Sequence, residues 1–193
     1  MIFEPRADPD LAAVWGWFEL QEQLIASERR RFRLHFSGSL STESLDPKLV
    51  ARFRGLDSSV VDECFELQRI LELLTMLELL TTAEAILRMD FKTRVDRKEK
   101  DGLSRRYRKI SKARGTKVRL EEDLLEALRP DLERASVAAD FLGALRLRDW
   151  LAHGRYWHPK LGRNYSPADV FDICRAVTDA VGSIASTPVV ATN

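Results

Sequence analysis

Residues 57–96 read DSSVVDECFELQRILELLTMLELLTTAEAILRMDFKTRVD, a stretch with no glycine and no proline. Leucine, methionine and glutamate, which favour helix, dominate it. Asp57 or Ser58 supplies a helix N-cap. The apolar positions cover more than one narrow stripe, which is typical of a helix with partners on several sides. We therefore predict one long central helix here, and a second subunit is one candidate for such a partner.

The segments before this helix also carry helix signals. Asp8-Pro9-Asp10 places acids and a proline at a helix start, so we predict a first helix from there to the basic cluster at residues 29–31. Residues 36–39, which include a glycine and two serines, indicate a loop. Asp46-Pro47-Lys48 predicts a short helix that ends at Gly55.

The segments after the central helix are helical in pattern as well. Residues 91–119, called here the basic segment, contain Gly102 and Gly115 and predict either a helix-turn-helix connection or a partly flexible insertion. The further predictions are a short helix over residues 120–128 stopped by Pro130, a helix from Asp131 closed by Gly154, a last helix opened by Ser166-Pro167-Ala168-Asp169, and a frayed tail over residues 187–193.

Length and composition are those of one folded domain. A chain of 193 residues can bury one core, and apolar and charged shares of 45% and 32% are typical of globular proteins. No stretch alternates apolar and polar residues as a strand does. We predict an all-α protein with a single domain over residues 1–186 that includes the basic segment.

The cysteines, the N-terminal sequence and the apolar stretches indicate the cellular compartment of the protein. Cys64 and Cys174 lie far apart, and we expect buried free thiols in a reducing cytoplasm. The N-terminal sequence lacks the basic start and apolar core of a signal peptide. Residues 70–80, the most apolar stretch, are too short to span a bilayer. We therefore expect a soluble cytoplasmic protein that does not contact the membrane.

Charge is unevenly distributed along the chain. The basic segment holds thirteen lysines and arginines against three acids, a formal charge of +10, whereas the whole chain carries +1 and the remainder therefore −9. This separation predicts a surface that faces a polyanion. The alternative is a solvated face without a ligand.

The stretch Arg148-Asp149-Trp150-Leu151-Ala152-His153, called here the motif, is the one that suggests chemistry. On a helix Asp149 and His153 are four residues apart and share a face, so the carboxylate can accept a hydrogen bond from the imidazole. Arg148 is five residues from His153, about 140° around the helix. The two side chains therefore converge only where the helix end is distorted or where a neighbouring subunit completes the site.

The motif resembles the R-(polar)-x-x-x-H signature of the HEPN superfamily, in which the polar residue is usually Asn and less often Asp or His. Its position late in a helical chain, after a long central helix and before a last one, strengthens the resemblance. What the resemblance implies is an up-and-down helical bundle that forms a homodimer, with two motifs in one cleft. Many members cleave RNA there without a metal, often as toxins or in antiviral defence.

The resemblance assigns a role to each residue of the site. His153 would move a proton as the ribose 2′-OH attacks the adjacent phosphate, and Arg148 would hold that phosphate and stabilise the transition state. Asp149 would orient the pair, although Asp in place of Asn adds a negative charge near the phosphate. The alternative is an ordinary helix end with favourably placed cations and a surface Asp–His pair.

Cations and flat rings around the motif predict an RNA-binding surface. Tyr156 and Trp157 have an equally supported alternative, in which they pack beneath the loop. The predicted RNA-binding residues are Arg155, Tyr156, Trp157, His158, Lys160 and Arg163 beside the motif, and Arg105, Arg106, Arg108, Lys109, Lys112 and Arg114 in the basic segment.

Two functions follow from the motif. The first is a metal-independent endoribonuclease without a cofactor, acting as a homodimer on RNA, in a toxin–antitoxin or phage-defence setting with an antitoxin as a further partner. The second is a non-catalytic HEPN-type module that binds RNA or nucleotide, or that partners a nucleotidyltransferase. The sequence has no glycine-rich phosphate loop, metal-binding cysteine pair or Gly-x-Ser-x-Gly elbow that favours another chemistry.

Overall fold

The secondary structure of the computed structural model, which describes residues 9–66, 68–153 and 161–186, is helical. No strand occurs in those residues, so the predicted all-α class is confirmed. The helices are α1 (Leu11–Phe36), α2 (Pro47–Arg52), α3 (Ser58–Glu66), α4 (Gln68–Arg97), α5 (Gly102–Arg114), α6 (Glu126–Leu128), α7 (Ala135–Ala152) and α8 (Pro167–Ser186), with 3-10 turns at Thr42–Ser44 and Arg129–Asp131 and a π-helical turn at Leu120–Leu125.

The central stretch is helical on both sides of Leu67, so one continuous helix over residues 57–96 stays a prediction. α3 ends at Glu66 and α4 begins at Gln68, and Leu67 lies outside the described residues. α4 buries Leu79, Leu80, Ala83 and Leu87, whose spacing places them on one side of the helix. In the part of the chain that the structure describes, no helix combines the length and apolarity needed to cross a membrane.

α1 is longer than predicted. It starts near the expected position, where the carboxylate of Asp10 accepts from the backbone N–H of Ala12 at 2.8 Å. It does not end at the basic cluster of residues 29–31 but continues to Phe36, because Phe32 is buried and the guanidinium groups of Arg29 and Arg33 both donate to Asp62 of α3 at 3.1 Å.

The short helix α2 begins as predicted and ends early. Asp46 accepts from the backbone N–H groups of Lys48 and Leu49 at 2.8 and 3.2 Å, and Pro47 occupies the first turn. The helix ends at Arg52 rather than at Gly55, which lies in a following turn with φ of +78°.

The basic segment agrees with the helix-turn-helix alternative, since α4 extends to Arg97 and α5 covers residues 102–114. The stretch 120–128 is helical as predicted, with a π-helical first part. The prediction that the next helix begins at Asp131 is wrong. Leu132 and Arg134 have extended backbones with ψ of 137°, and α7 begins only at Ala135.

α8 begins as predicted. Ser166 and Asp169 bond reciprocally, because the Asp169 backbone N–H donates to the Ser166 Oγ at 3.2 Å and the Ser166 backbone N–H donates to the Asp169 carboxylate at 2.9 Å. Burial raises the pKa of the Cys174 thiol on this helix to about 12. Cys64 is only partly buried, so the expectation of two buried thiols holds for Cys174 alone.

Packing divides the chain into two compact units. One is Ala13–Thr75, with a core of Phe32, Leu45 and Val61 on which Phe53 and Phe65 pack. The other comprises the described residues up to Ala12 and those from Met76 onward, and in it α7 packs against α8. The single domain over residues 1–186 stays a prediction. The tail 187–193 lies outside the described residues.

Candidate functional site

The motif occupies the C-terminal end of α7. Phe141, Ala144 and Leu145 are fully buried and fix this helix in its unit. The helix ends at Ala152, and His153 is its C-cap residue. The predicted closure by Gly154 lies outside the described residues. Arg148 is therefore presented by regular helix and His153 by the residue at which the helix stops.

Two carboxylates hold the guanidinium group of Arg148. Its Nε and Nη2 donate to the Asp149 Oδ1 at 3.0 and 2.8 Å, and its Nη1 forms an ion pair with Glu84 of α4. The Arg148 and Glu84 side chains are only 22% and 19% exposed. Limited exposure and two anchoring groups give this guanidinium a defined orientation.

Glu84 is a member of the site that was missed from the sequence. Its other oxygen accepts from the Nε of Arg88 at 2.8 Å, so the carboxylate bridges two arginines. Glu84 precedes Arg148 by 64 residues, and no local pattern links them.

The carboxylate of Asp149 was predicted to accept a hydrogen bond from the imidazole of His153. The structure pairs this carboxylate with Arg148, and the link described between Asp149 and His153 is the backbone hydrogen bond from the His153 N–H to the Asp149 carbonyl at 3.0 Å. His153 is exposed, with φ of −93° and ψ of 19°, so it departs from the helix. The Asp149–His153 side-chain bond stays a prediction.

Formal charges cancel among the four charged residues joined by ion pairs at the motif. Glu84 and Asp149 contribute two negative charges, and Arg88 and Arg148 two positive ones. Asp149 is half exposed, so water screens its part of this field. A phosphate would meet oriented donors here rather than a strong positive potential.

Most of the predicted RNA-binding residues beside the motif lie outside the described residues, namely Arg155, Tyr156, Trp157, His158 and Lys160. Arg163 is described, and its guanidinium lies 3.6 Å from Asp140 and over the Tyr165 ring at 4.7 Å from the centroid. Tyr165 lies against α7 because Gly143 has no side chain, and a Cβ there would be 2.7 Å from the tyrosine oxygen. Arg163 is thus tied to α7.

The basic segment has two kinds of cation. Arg106 donates to the Ala127 carbonyl at 2.7 Å and pairs with Asp131, Arg108 donates to the Glu99 carbonyl, and Arg114 pairs with Asp123 at 3.2 Å. These three side chains are engaged in contacts within their own unit. Arg105, Lys109 and Lys112 are exposed.

Arg94 is a structural residue. It is 1% exposed, and it donates to both oxygens of Asp90 at 2.8 Å, to Ser104 at 3.3 Å and to the Val181 carbonyl at 3.1 Å. Burial raises the pKa of Asp90 in spite of this partner. Arg94 therefore connects α4 to α5 and α8 and cannot meet a nucleic acid.

Within the described segments, no group of three or more histidines, cysteines and carboxylates is placed to hold a metal ion.

Comparisons of the chain with protein-family models, with curated proteins and with solved structures give no match.

Proposed function

We propose that this protein is a metal-independent endoribonuclease of the HEPN type that acts as a homodimer. The observation that carries the proposal is the end of α7, where carboxylates orient Arg148 and where His153 is exposed at the helix terminus. A cation that binds phosphate and a base near a helix end are the groups that RNA cleavage by the 2′-OH needs.

Arg148 retains donors for a phosphate. A guanidinium has five N–H donors, and the contacts to Glu84 and Asp149 occupy three of them, on Nη1, Nε and Nη2. Among the described contacts this leaves one donor on each terminal nitrogen. The carboxylates thus orient the group without using its full capacity.

The reaction proposed is an intramolecular transfer at phosphorus. The ribose 2′-oxygen attacks the adjacent phosphorus while His153 takes the proton of the hydroxyl, and Arg148 stabilises the charge on the phosphoryl oxygens. The bond from phosphorus to the 5′-oxygen breaks, and this oxygen takes a proton from the imidazolium of the second copy. The products are a 2′,3′-cyclic phosphate and a 5′-hydroxyl.

An apolar face in the Ala13–Thr75 unit supports association of two copies. Trp17, Leu20 and Leu24 follow one another on one side of α1 and are each about half exposed, as are Ile70 and Leu74 on α4. Gln68 donates to Glu22 at 3.3 Å, so these stretches of the two helices are neighbours. Exposed apolar surface of this kind marks interaction sites.

A second candidate function is a non-catalytic HEPN-type module, for example a partner of a nucleotidyltransferase. The observation that favours it is the pairing of Arg148 with two carboxylates, which neutralises the cation. Under this alternative the ion pairs only join α4 to α7. A toxin or defence role with an antitoxin belongs to the first candidate.

The chemistry of the products tests the enzyme proposal. RNA cleaved by this route carries a 2′,3′-cyclic phosphate, and a substrate with 2′-deoxyribose at the scissile nucleotide resists cleavage because the nucleophile is absent. Mass spectrometry of the fragments identifies the ends. Cleavage of the 2′-deoxy substrate at the same bond would contradict the proposed reaction.

A further inference from the structure

Three cations lie along the exposed side of α5. Arg105, Lys109 and Lys112 are four and three residues apart, so they lie along one side of the helix within about 60° of arc. Leu103 and Tyr107 are buried on the opposite side. The three cations therefore face directly away from the core.

Among the described residues, this side of the helix has no charge partner. α5 contains no acidic residue, and within the described residues no ion pair or side-chain hydrogen bond reaches Arg105, Lys109 or Lys112. The other cations of the helix, Arg106, Arg108 and Arg114, bond to carbonyl or carboxylate groups of the same unit. Three of the six cations of α5 thus make contacts within the protein, and the other three are exposed to solvent.

We infer that Arg105, Lys109 and Lys112 form a phosphate-binding stripe that holds the backbone of single-stranded RNA, in addition to the contacts made by Arg148 and His153. The inference rests on the proposed function for its choice of ligand. Unpaired lysines and arginines on one helix face bind successive phosphates mainly through charge and release of counterions. The one aromatic residue of α5, Tyr107, is buried, so the stripe contacts the backbone and reads no bases.

The binding test uses a His153→Ala background, in which RNA remains intact during the measurement. In it, Arg105, Lys109 and Lys112 are changed together to Gln, and affinity for a labelled single-stranded RNA of mixed sequence is measured over a range of salt. Three lost phosphate contacts make the plot of log affinity against log salt shallower by about 2 and weaken binding roughly tenfold near physiological salt.

A matched variant changes Lys48, Arg52 and Arg54, three exposed cations of the other unit, to Gln. Both triple variants lose three positive charges, and neither set lies in a core. We expect the control to keep the wild-type salt slope. An equal loss in both variants would overturn the inference, because binding would then depend on net charge alone.

The remaining outcomes separate this inference from the proposed function. RNA binding that needs the stripe, in a protein that cleaves no RNA, supports the stripe and removes the enzyme proposal. A second outcome is that the wild-type protein cleaves RNA and the α5 triple variant binds RNA as tightly as its His153→Ala parent. This outcome overturns the stripe and leaves the enzyme proposal standing. A wild-type chain that binds vesicles containing phosphatidylserine but no RNA overturns the stripe as an RNA site.

Discussion

Glu84 of α4 and Arg148 of α7 form an ion pair between two helices, with both side chains about four-fifths buried. The residues are 64 positions apart, so the contact depends on tertiary packing. Glu84 also binds Arg88 and lies beside the predicted RNA-cleavage motif. We expect its main effect on function to be the positioning of Arg148.

Replacing Glu84 with Ala tests that role. We expect kcat for RNA cleavage to fall about tenfold, since the guanidinium loses one of its two anchors, and the free energy of unfolding to fall by roughly 1–2 kcal/mol. Glu84→Gln, which keeps an acceptor, restores part of kcat. Glu78→Ala, at an exposed position of the same helix, is the control. Full activity in Glu84→Ala would show that Arg148 needs no such anchor.

Replacing Asp149 with Asn removes a negative charge next to the proposed phosphate site while keeping the oxygen that accepts from Arg148. We expect kcat/KM to rise by roughly threefold to tenfold at low salt, and the gain to shrink as salt screens the half-exposed charge. Asp149→Ala loses the acceptor and is slower than wild type. Slower cleavage by Asp149→Asn would mean that the carboxylate itself takes part in catalysis.

Replacing Leu20 with Glu places a charge in the apolar face of α1 and α4. We expect self-association to weaken by roughly 2 kcal/mol, about 30-fold in Kd. Analytical ultracentrifugation measures the change. Ala26→Glu adds the same charge at an exposed position of α1 on the other side of the helix and leaves the dimer intact. A Leu20→Glu protein as dimeric as wild type would place the interface elsewhere.

Replacing Arg94 with Met removes the centre of a buried network and leaves Asp90 without its partner. We expect the free energy of unfolding to fall by roughly 3–5 kcal/mol. The double variant Arg94→Met, Asp90→Leu recovers part of this loss, because no unpaired charge remains between the two positions. Chemical denaturation measures both variants, with Arg97→Met at an exposed position of α4 as control. A loss below about 1 kcal/mol would contradict a structural role for Arg94.

Helix starts set by local chemistry were predictable from the sequence. At Asp46 with Pro47, and at Ser166 with Asp169, the capping residue and the first helical turn lie within four residues in the sequence. Both helices begin there as predicted. Asp131 carries the same kind of signal, yet its carboxylate pairs with Arg106 and α7 begins four residues later. There the carboxylate has a long-range partner in place of a helix N-terminus, which no local pattern predicts.

The motif was visible in the sequence because Arg148, Asp149 and His153 lie within six residues. Its surroundings were not, since Glu84 and Arg148 lie on different helices, 64 residues apart, and meet only in the folded chain. The charge count of the basic segment was correct in sum but did not distinguish Arg94, which is buried, from Lys109, which is exposed. Burial and partner geometry decide which cations remain for a ligand.

The proposal of an RNA-cleaving site at the end of α7 is tested by incubating purified protein with mixed RNA in EDTA, beside His153→Ala and Arg148→Ala. Wild-type protein should cleave the RNA, and each variant should lose at least about a hundredfold in rate, because one lacks the base and the other the phosphate-binding cation. Cleavage at the wild-type rate by both variants would contradict the proposed site.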